Sequence, residues 1–342
     1  MQAELRVFRV EEGLGNACAL VLPDETLGIV DWGTARDEPL QQLLALAQRA
    51  ARPRVRFVAA THPHADHTLG LAPLLSRLLD ASVAVDRLVY PTAVGGLAED
   101  HLRRVRFVAA DRKVPMSSIS VATLPQSLPA PVLALGVDPE DPACGWIVRV
   151  LAPIDTDLAA QETRDQRATR LPGNPTSLVV QFAFTRNELR EQRGCAILPG
   201  DATAATLNGA RRRAQEFPEL NLANDALVIP HHGSHHNWVP WFADALLGVA
   251  IVSAPSGRDK HPSPAVLREV LQVCGTGEHS RLLCTSYAGA CHRAYGAESG
   301  APGRLEPCFG DISVALSPQS GARLIAHDER GPSRRSFGLC GR

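Results

Sequence analysis

The sequence predicts an α/β protein built as a four-layer αββα sandwich, and three observations carry that expectation. Two stretches of the chain each run from β-rich to alternating β and α, so two sheets would pack face to face with helices on both outer sides. Short apolar runs that read as buried strands alternate with segments whose apolar residues recur at helical spacing. The polar clusters fall at strand ends, which share one edge in a layered fold. With 342 residues and roughly 100–200 residues per domain, the chain has room for one large unit or two small ones. No repeat of fixed period and no long linker divides it. Residues 1–328 are therefore expected to form a single domain, followed by a basic tail over 329–342.

The elements follow in order. Leu5 to Val10, Ala17 to Leu22 and Leu27 to Asp31 are predicted strands of a meander, punctuated by Gly13, Gly15, Pro23 and Gly33. The Gly13-Leu14-Gly15 run lacks the third glycine of a nucleotide fingerprint and reads as a turn. Residues 38–50 carry apolar positions at helical spacing, Val55 to Ala60 is a buried strand that stops at Thr61, and 68–80 is helical. Residues 87–110 are expected to give a strand, a polar helix and another strand. From 111 to 143 proline and serine recur without period, which predicts an irregular insertion. Strands resume at 146–151, 178–184 and 195–199, then helix 202–215, strand 226–230, helix 239–247, strand 249–253, helix 264–273, strand 281–285 and closing strands near 311–316 and 322–326. Arg211, Arg212 and Arg213 point in three directions on their helix, so most of the run is expected to be solvated, only one arginine could face a groove, and the run is read as surface.

Composition excludes whole classes. Hydrophobic residues at 45% and charged residues at 21% rule out a disordered, collagen-like or coiled-coil chain. No apolar run reaches the roughly 18 residues of a membrane span, and the N-terminus lacks a secretory pattern, so a cytoplasmic location without membrane contact is expected. The eight cysteines are scattered without a C-x-x-C pair and read as reduced thiols. A formal charge of −1 provides no global positive field for nucleic acid, so an anionic substrate must be held locally. Only Lys113 and Lys260 among the 35 basic residues are lysines.

The chemistry is concentrated in Thr61-His62-Pro63-His64-Ala65-Asp66-His67, directly after the strand 55–60. Three histidines and an aspartate within six residues, where a strand opens into a loop, are able to converge on metal through imidazole nitrogen and carboxylate oxygen. Alternation puts His62 and His64 on one side. Asp66 and His67 begin the next turn and face a second ion.

The pattern H-x-H-x-D-H after an apolar strand resembles the metallo-β-lactamase fold superfamily of metallohydrolases, and further blocks stand in that family's order. The resemblance implies a metallo-β-lactamase-like αββα sandwich. Asp31 in Ile29-Val30-Asp31-Trp32-Gly33 resembles the family's supporting aspartate, Asp201 in Leu198-Pro199-Gly200-Asp201-Ala202 its bridging carboxylate, and His231 in Pro230-His231-His232-Gly233-Ser234 its last histidine ligand. The blocks THPHADHTLG, NPTSLVV, LPGDA, IPHHGS and KHPSPAVL are similar to the ComEC-type branch, the hydrolase domain of DNA-internalisation competence proteins. Most of the superfamily has another histidine ligand between the H-x-H-x-D-H block and the bridging aspartate, whereas His101, in a helix, is the only histidine here between 68 and 200. Asn174 matches the asparagine of the ComEC-type branch. The resemblance thus places Asn174 among the catalytic residues and implies a weaker first ion.

The expected cofactors are two divalent ions, zinc or manganese, held by His62, His64, Asp66, His67, Asp201 and His231, with Asp66 also in catalysis. Such a pair holds a hydroxide at neutral pH and neutralises charge on the leaving oxygen, which suits phosphodiester cleavage. The donors past the last ligand favour phosphate: His232 and Ser234 beside the ligand turn, His236 and Lys260 for substrate, and His261, or else His235, to protonate the leaving oxygen. His261 stands before a helix start, where backbone N–H groups meet anions. The sequence therefore reads as a phosphodiesterase or nuclease acting on DNA, RNA or a nucleotide. Its rivals are a lactonase or thioesterase-like acyl hydrolase, and a metal-binding interaction module with partner proteins in a defence or DNA-processing system.

Overall fold

The computed structural model describes residues 1–10, 15–91, 99–119, 130–153, 176–186, 193–217, 220, 222–253, 261–274, 281–285 and 310–327. Among these, nine strands form one sheet: β1 (Ala3–Val7), β2 (Ala17–Val21), β3 (Leu27–Trp32), β4 (Arg54–Ala59), β5 (Ala84–Val85), β6 (Leu88–Pro91), β7 (Met116–Ile119) and the C-terminal hairpin β15 (Ile312–Ser317) and β16 (Gly321–His327). Their order is β16-β15-β1-β2-β3-β4-β6-β7, with β5 beside β4. The second sheet holds β8 (Val132–Val137), β9 (Cys144–Ala152), β10 (Val179–Arg186), β11 (Ala196–Leu198), β12 (Asn224–Val228), β13 (Leu246–Val252) and β14 (Arg281–Cys284), paired in chain order.

Both sheets change from antiparallel to parallel pairing part-way across. In the first the change falls between β2–β3 and β3–β4, in the second between β10–β11 and β11–β12. The parallel strands need crossover helices, and these cover the outer faces. The first sheet carries α1 (Asp37–Ala47), α3 (Leu71–Asp80) and α4 (Glu99–Asp111), with α2 (Ala65–Thr68) a single turn at its edge; the second carries α5 (Ala204–Glu216), α6 (Pro240–Asp244) and α7 (Pro264–Cys274).

Strand alternation sorts the core into layers. Leu5, Val7, Leu20, Phe57, Val148, Phe182 and Val249 meet between the sheets. Leu43, Leu71, Leu74 and Val105 close the first outer face, and Leu207, Phe242, Leu267 and Val270 the second. Each such buried side chain contributes about 1.5–3 kcal/mol relative to exposure. The result is the four-layer αββα sandwich that the sequence predicts. Among the described residues no helix is long and apolar enough to cross a membrane. Among the described residues, Cys18, Cys144, Cys195 and Cys284 stand outside any disulfide, and burial pushes Cys195 up to about 12.

Three expectations are corrected. The run from Val105 to Ala110 is the end of α4, not a strand. A six-residue run with five apolar residues and Arg106 fits either state, and only with Leu102 included does the 102, 105, 109 spacing of buried residues show a helix. Segment 111–143, read as irregular, contains β7 and β8. Both lie at the ends of their sheets, where one face stays exposed and few residues are buried, so the pattern is faint; residues 120–129 lie outside the described ones. Arg213 is fully buried and donates from Nη1 to the Leu151 carbonyl at 3.1 Å, whereas Arg211 stays at the surface over the Trp241 ring. The predicted Gly13 turn and the tail 329–342 lie outside the described residues.

Candidate metal centre

The site lies where the parallel strands of both sheets end, the edge at which open α/β sheets bind ligands. Asp31 is the penultimate residue of β3, and its left-handed φ of 59° turns its carboxylate toward the next loop. Asp31 Oδ1 accepts from Thr61 N at 2.7 Å, and Oδ2 accepts from Thr61 Oγ1 at 2.7 Å and lies 2.6 Å from His67 Nδ1. With its proton directed to Asp31, the Thr61 hydroxyl accepts from His62 Nδ1 at 3.1 Å. His62 and His67 are thus pinned at Nδ1 and present Nε2 inward. Gly33 makes room for the ligand turn: a Cβ there would run into the Asp66 carbonyl.

The second sheet supplies the opposite wall. After β11, Gly200 (φ 54°) packs against Thr61 and Ser177 where a Cβ would clash, and Ser177 Oγ accepts from Asp201 N at 3.1 Å. Asn237 donates to the carbonyls of Asp201 and Ala202. After β12, His231, His232 and Gly233 take left-handed φ values of 46°, 53° and 84° in succession, and His231 N donates to the Gly200 carbonyl at 3.0 Å. His232 Nδ1 donates to the Ser253 carbonyl at 2.8 Å, just past β13. Ser263 N donates to the Gly233 carbonyl at 2.8 Å, and this brings the His261 ring to 5.4 Å from that of His231.

Two donor groups result, with ligand atoms within 4.8 Å of one another in each: Asp66, His67, Asp201 and His232, and His62, His64 and Asp66. Asp201 Oδ1 stands 3.1 Å from His67 Nε2 and 3.7 Å from His232 Nε2, and Oδ2 stands 3.6 Å from both His62 Nε2 and His231 Nε2. The Nε2 atoms of His62, His64, His67 and His232, together with Asp201 Oδ1, are buried without a hydrogen-bond partner. Leaving one such atom unsatisfied costs about 1–3 kcal/mol. Nε2 atoms turned into two adjoining donor groups, with Nδ1 held by an oxygen on three of the four rings, are what divalent cations require of their ligands. The residues fit the metal.

The charges are arranged to match. Burial opposes a charged His67, yet Asp201 and then Asp31 raise its pKa well above the usual histidine range. Asp201 raises His232 against the same burial, while burial, with His67 beside it, pushes His62 well down. His67 and His232 hold the Asp201 carboxyl well below the carboxylate range despite burial. The carboxylates stay ionised, and positive charge is called for among them.

The structure separates the tandem histidines. His232, assigned a supporting role, is buried and completes the four-donor group, whereas His231, assigned as the last ligand, is 23% exposed and outside both groups. Adjacent histidines look alike in sequence, and the left-handed turn decides which one points inward. Ser234 acts through its backbone, donating to the His231 carbonyl at 2.9 Å. His235 and His236 are exposed, with rings 6.1 Å apart, and join neither group. Asn174 and Lys260 lie outside the described residues. The reading assigned no role to Thr61, Ser177, Asn237 or Ser253; of these Thr61, adjoining the ligand block, and Ser177, inside the NPTSLVV block, carried a signal in their position.

Residues 12–178 match the family model described as the metallo-beta-lactamase superfamily. Asp31 and the block from His62 to His67 fall inside that span; Asp201, His231 and His232 follow it. The two sheets and two helical layers are the sandwich of the metallo-β-lactamase fold. No curated protein matches the chain. A solved structure titled "Crystal Structure of a New Diphosphatase from the PhnP Family" is 12% identical, with 82% of this chain and 85% of that chain covered and a TM-score of 0.34.

Proposed function

We propose that the chain is a metal-dependent hydrolase of the metallo-β-lactamase superfamily that cleaves phosphodiesters, in nucleic acid or a nucleotide, with two divalent ions of zinc or manganese. The observation that carries the metal reading is the set of four buried inward Nε2 atoms around Asp201. Asp66, His67, Asp201 and His232 would hold one ion; His62, His64 and the shared Asp66 would take part in holding the other. When bound, the ions polarise a phosphoryl oxygen and acidify the attacking water. Thr61, Asp31 and the Ser253 carbonyl keep the imidazoles aimed.

His261, half-buried beside His231, donates a proton to the departing oxygen. Such general-acid help is typically worth about 10²–10⁴ in rate. The half-buried His261 ring beside the ligand turn supports an anionic substrate, and the five sequence blocks support the ComEC-type branch.

The test supplies Mn²⁺ or Zn²⁺ and compares bis-p-nitrophenyl phosphate, labelled single-stranded DNA and an acyl ester. Turnover of a phosphodiester above the ester is expected; turnover of the ester alone would hand the site to an acyl hydrolase, and ion binding without turnover to an interaction module. His261→Ala should keep the ions and the melting temperature. It should lose activity on DNA, where the leaving oxygen needs a proton, more than on the nitrophenyl diester.

A further inference from the structure

We infer that the tandem histidines divide between the two ions: His232 completes the four-donor group, and His231 supplies the histidine that the His62, His64 and Asp66 group lacks. This rests on the metal reading above and concerns the ligands of the first ion. Structural and catalytic zinc sites are built from three or four protein ligands. The group of Asp66, His67, Asp201 and His232 is already full, whereas the other has three donors, one of them shared.

The Asp201 carboxylate marks the sides. Its Oδ1 faces His67 and His232 at 3.1 and 3.7 Å; its Oδ2 faces His62 and His231, each at 3.6 Å. His232 therefore lies on the side of His67, and His231 on the side of His62. The turn explains how neighbours serve different ions. With both residues at positive φ, the two rings diverge, 6.0 Å apart and at 77° to one another. The bond from His231 N to the Gly200 carbonyl fixes this turn to the residue before Asp201. His101, the only histidine between 68 and 200, sits on α4 and joins neither group.

The test reads metal, not turnover. The full chain is loaded with Mn²⁺ or Zn²⁺, and bound ions are counted by elemental analysis and titration calorimetry for wild type and His231→Asn, asparagine being tolerant of a left-handed φ. Two ions per chain are expected in the wild type and one in the variant, or a looser dissociation constant raised beyond the roughly 10–100-fold that loss of a supporting residue causes. His231→Cys loaded with Co²⁺ should show thiolate-to-cobalt charge-transfer absorption, which His261→Cys should lack; this readout stands even if His231→Asn folds poorly. If wild type binds two ions and the variants also bind two, with no charge-transfer band, the assignment is overturned and His231 is a substrate-positioning group. A single ion in wild type that persists in His231→Asn overturns it equally. A wild type that binds no ion at all instead removes the metal reading on which the proposal rests.

Discussion

Thr61 Oγ1 donates to Asp31 Oδ2 and accepts from His62 Nδ1, so one hydroxyl ties the supporting carboxylate to the ligand block. Valine at 61 keeps the shape and removes the link, leaving His62 Nδ1 without its acceptor. Metal affinity of Thr61→Val should fall about 10–100-fold, and Thr61→Ser should retain it, measured by competition with a chromophoric chelator. Unchanged affinity in Thr61→Val would mean that Asp31 alone sets the geometry. At this scale the ligand block is legible in sequence because metal binding demands particular side chains at close spacing. Its supports are not. Ser177 and Asn237 act through single atoms on partners 22 to 36 residues away, and Ser253 Oγ donates to the carbonyl of Gly15, 238 positions distant.

Among the elements, α5 shows how burial overrides composition. Three consecutive arginines read as a solvated run, yet the helix must set one face against β9, and Arg213 falls on it beside the Leu151 carbonyl. Arg213→Ala should lower stability by about 2–4 kcal/mol, as expected when a large buried side chain with a hydrogen bond is truncated. Arg211→Ala should cost at most about 1 kcal/mol, its exposed contact with Trp241 being of the cation–π kind. Denaturant midpoints decide, and equal costs would contradict the placement. The strands and helices flanking the site were readable because their apolar periods are strong: the block after β4 and the turns after β11 and β12 sit where the sequence puts them. The reading failed at α4, whose apolar run is too short to fix a period, and at β7 and β8, where one exposed face dilutes it.

Across the whole molecule, the seam between the sheets is tied at both ends of β12. One end leads to His231 and His232; near the other, Asp225 accepts from the backbone N–H groups of Gly194 and Cys195 and packs against Gly321 in the β15–β16 hairpin. Burial raises the Asp225 pKa above its ordinary 3.8, in spite of those donors. A carboxyl raised on folding contributes stability that is fully present below the unfolded value and is lost as pH rises through the folded one. Asparagine does not titrate, so the stability of Asp225→Asn relative to wild type should improve as pH rises from about 4 to 7, followed by urea midpoints with the metal ligands common to both. A constant difference would place no titration at Asp225 in that range. The division of the ligands between the two sheets also has a consequence in time. During synthesis, His62, His64 and Asp66 leave the ribosome long before Asp201 and His232, which follow more than 130 residues later. A nascent or interrupted chain thus offers only the smaller donor set to passing ions, and the larger set exists only once residue 232 has emerged and the sheets have closed.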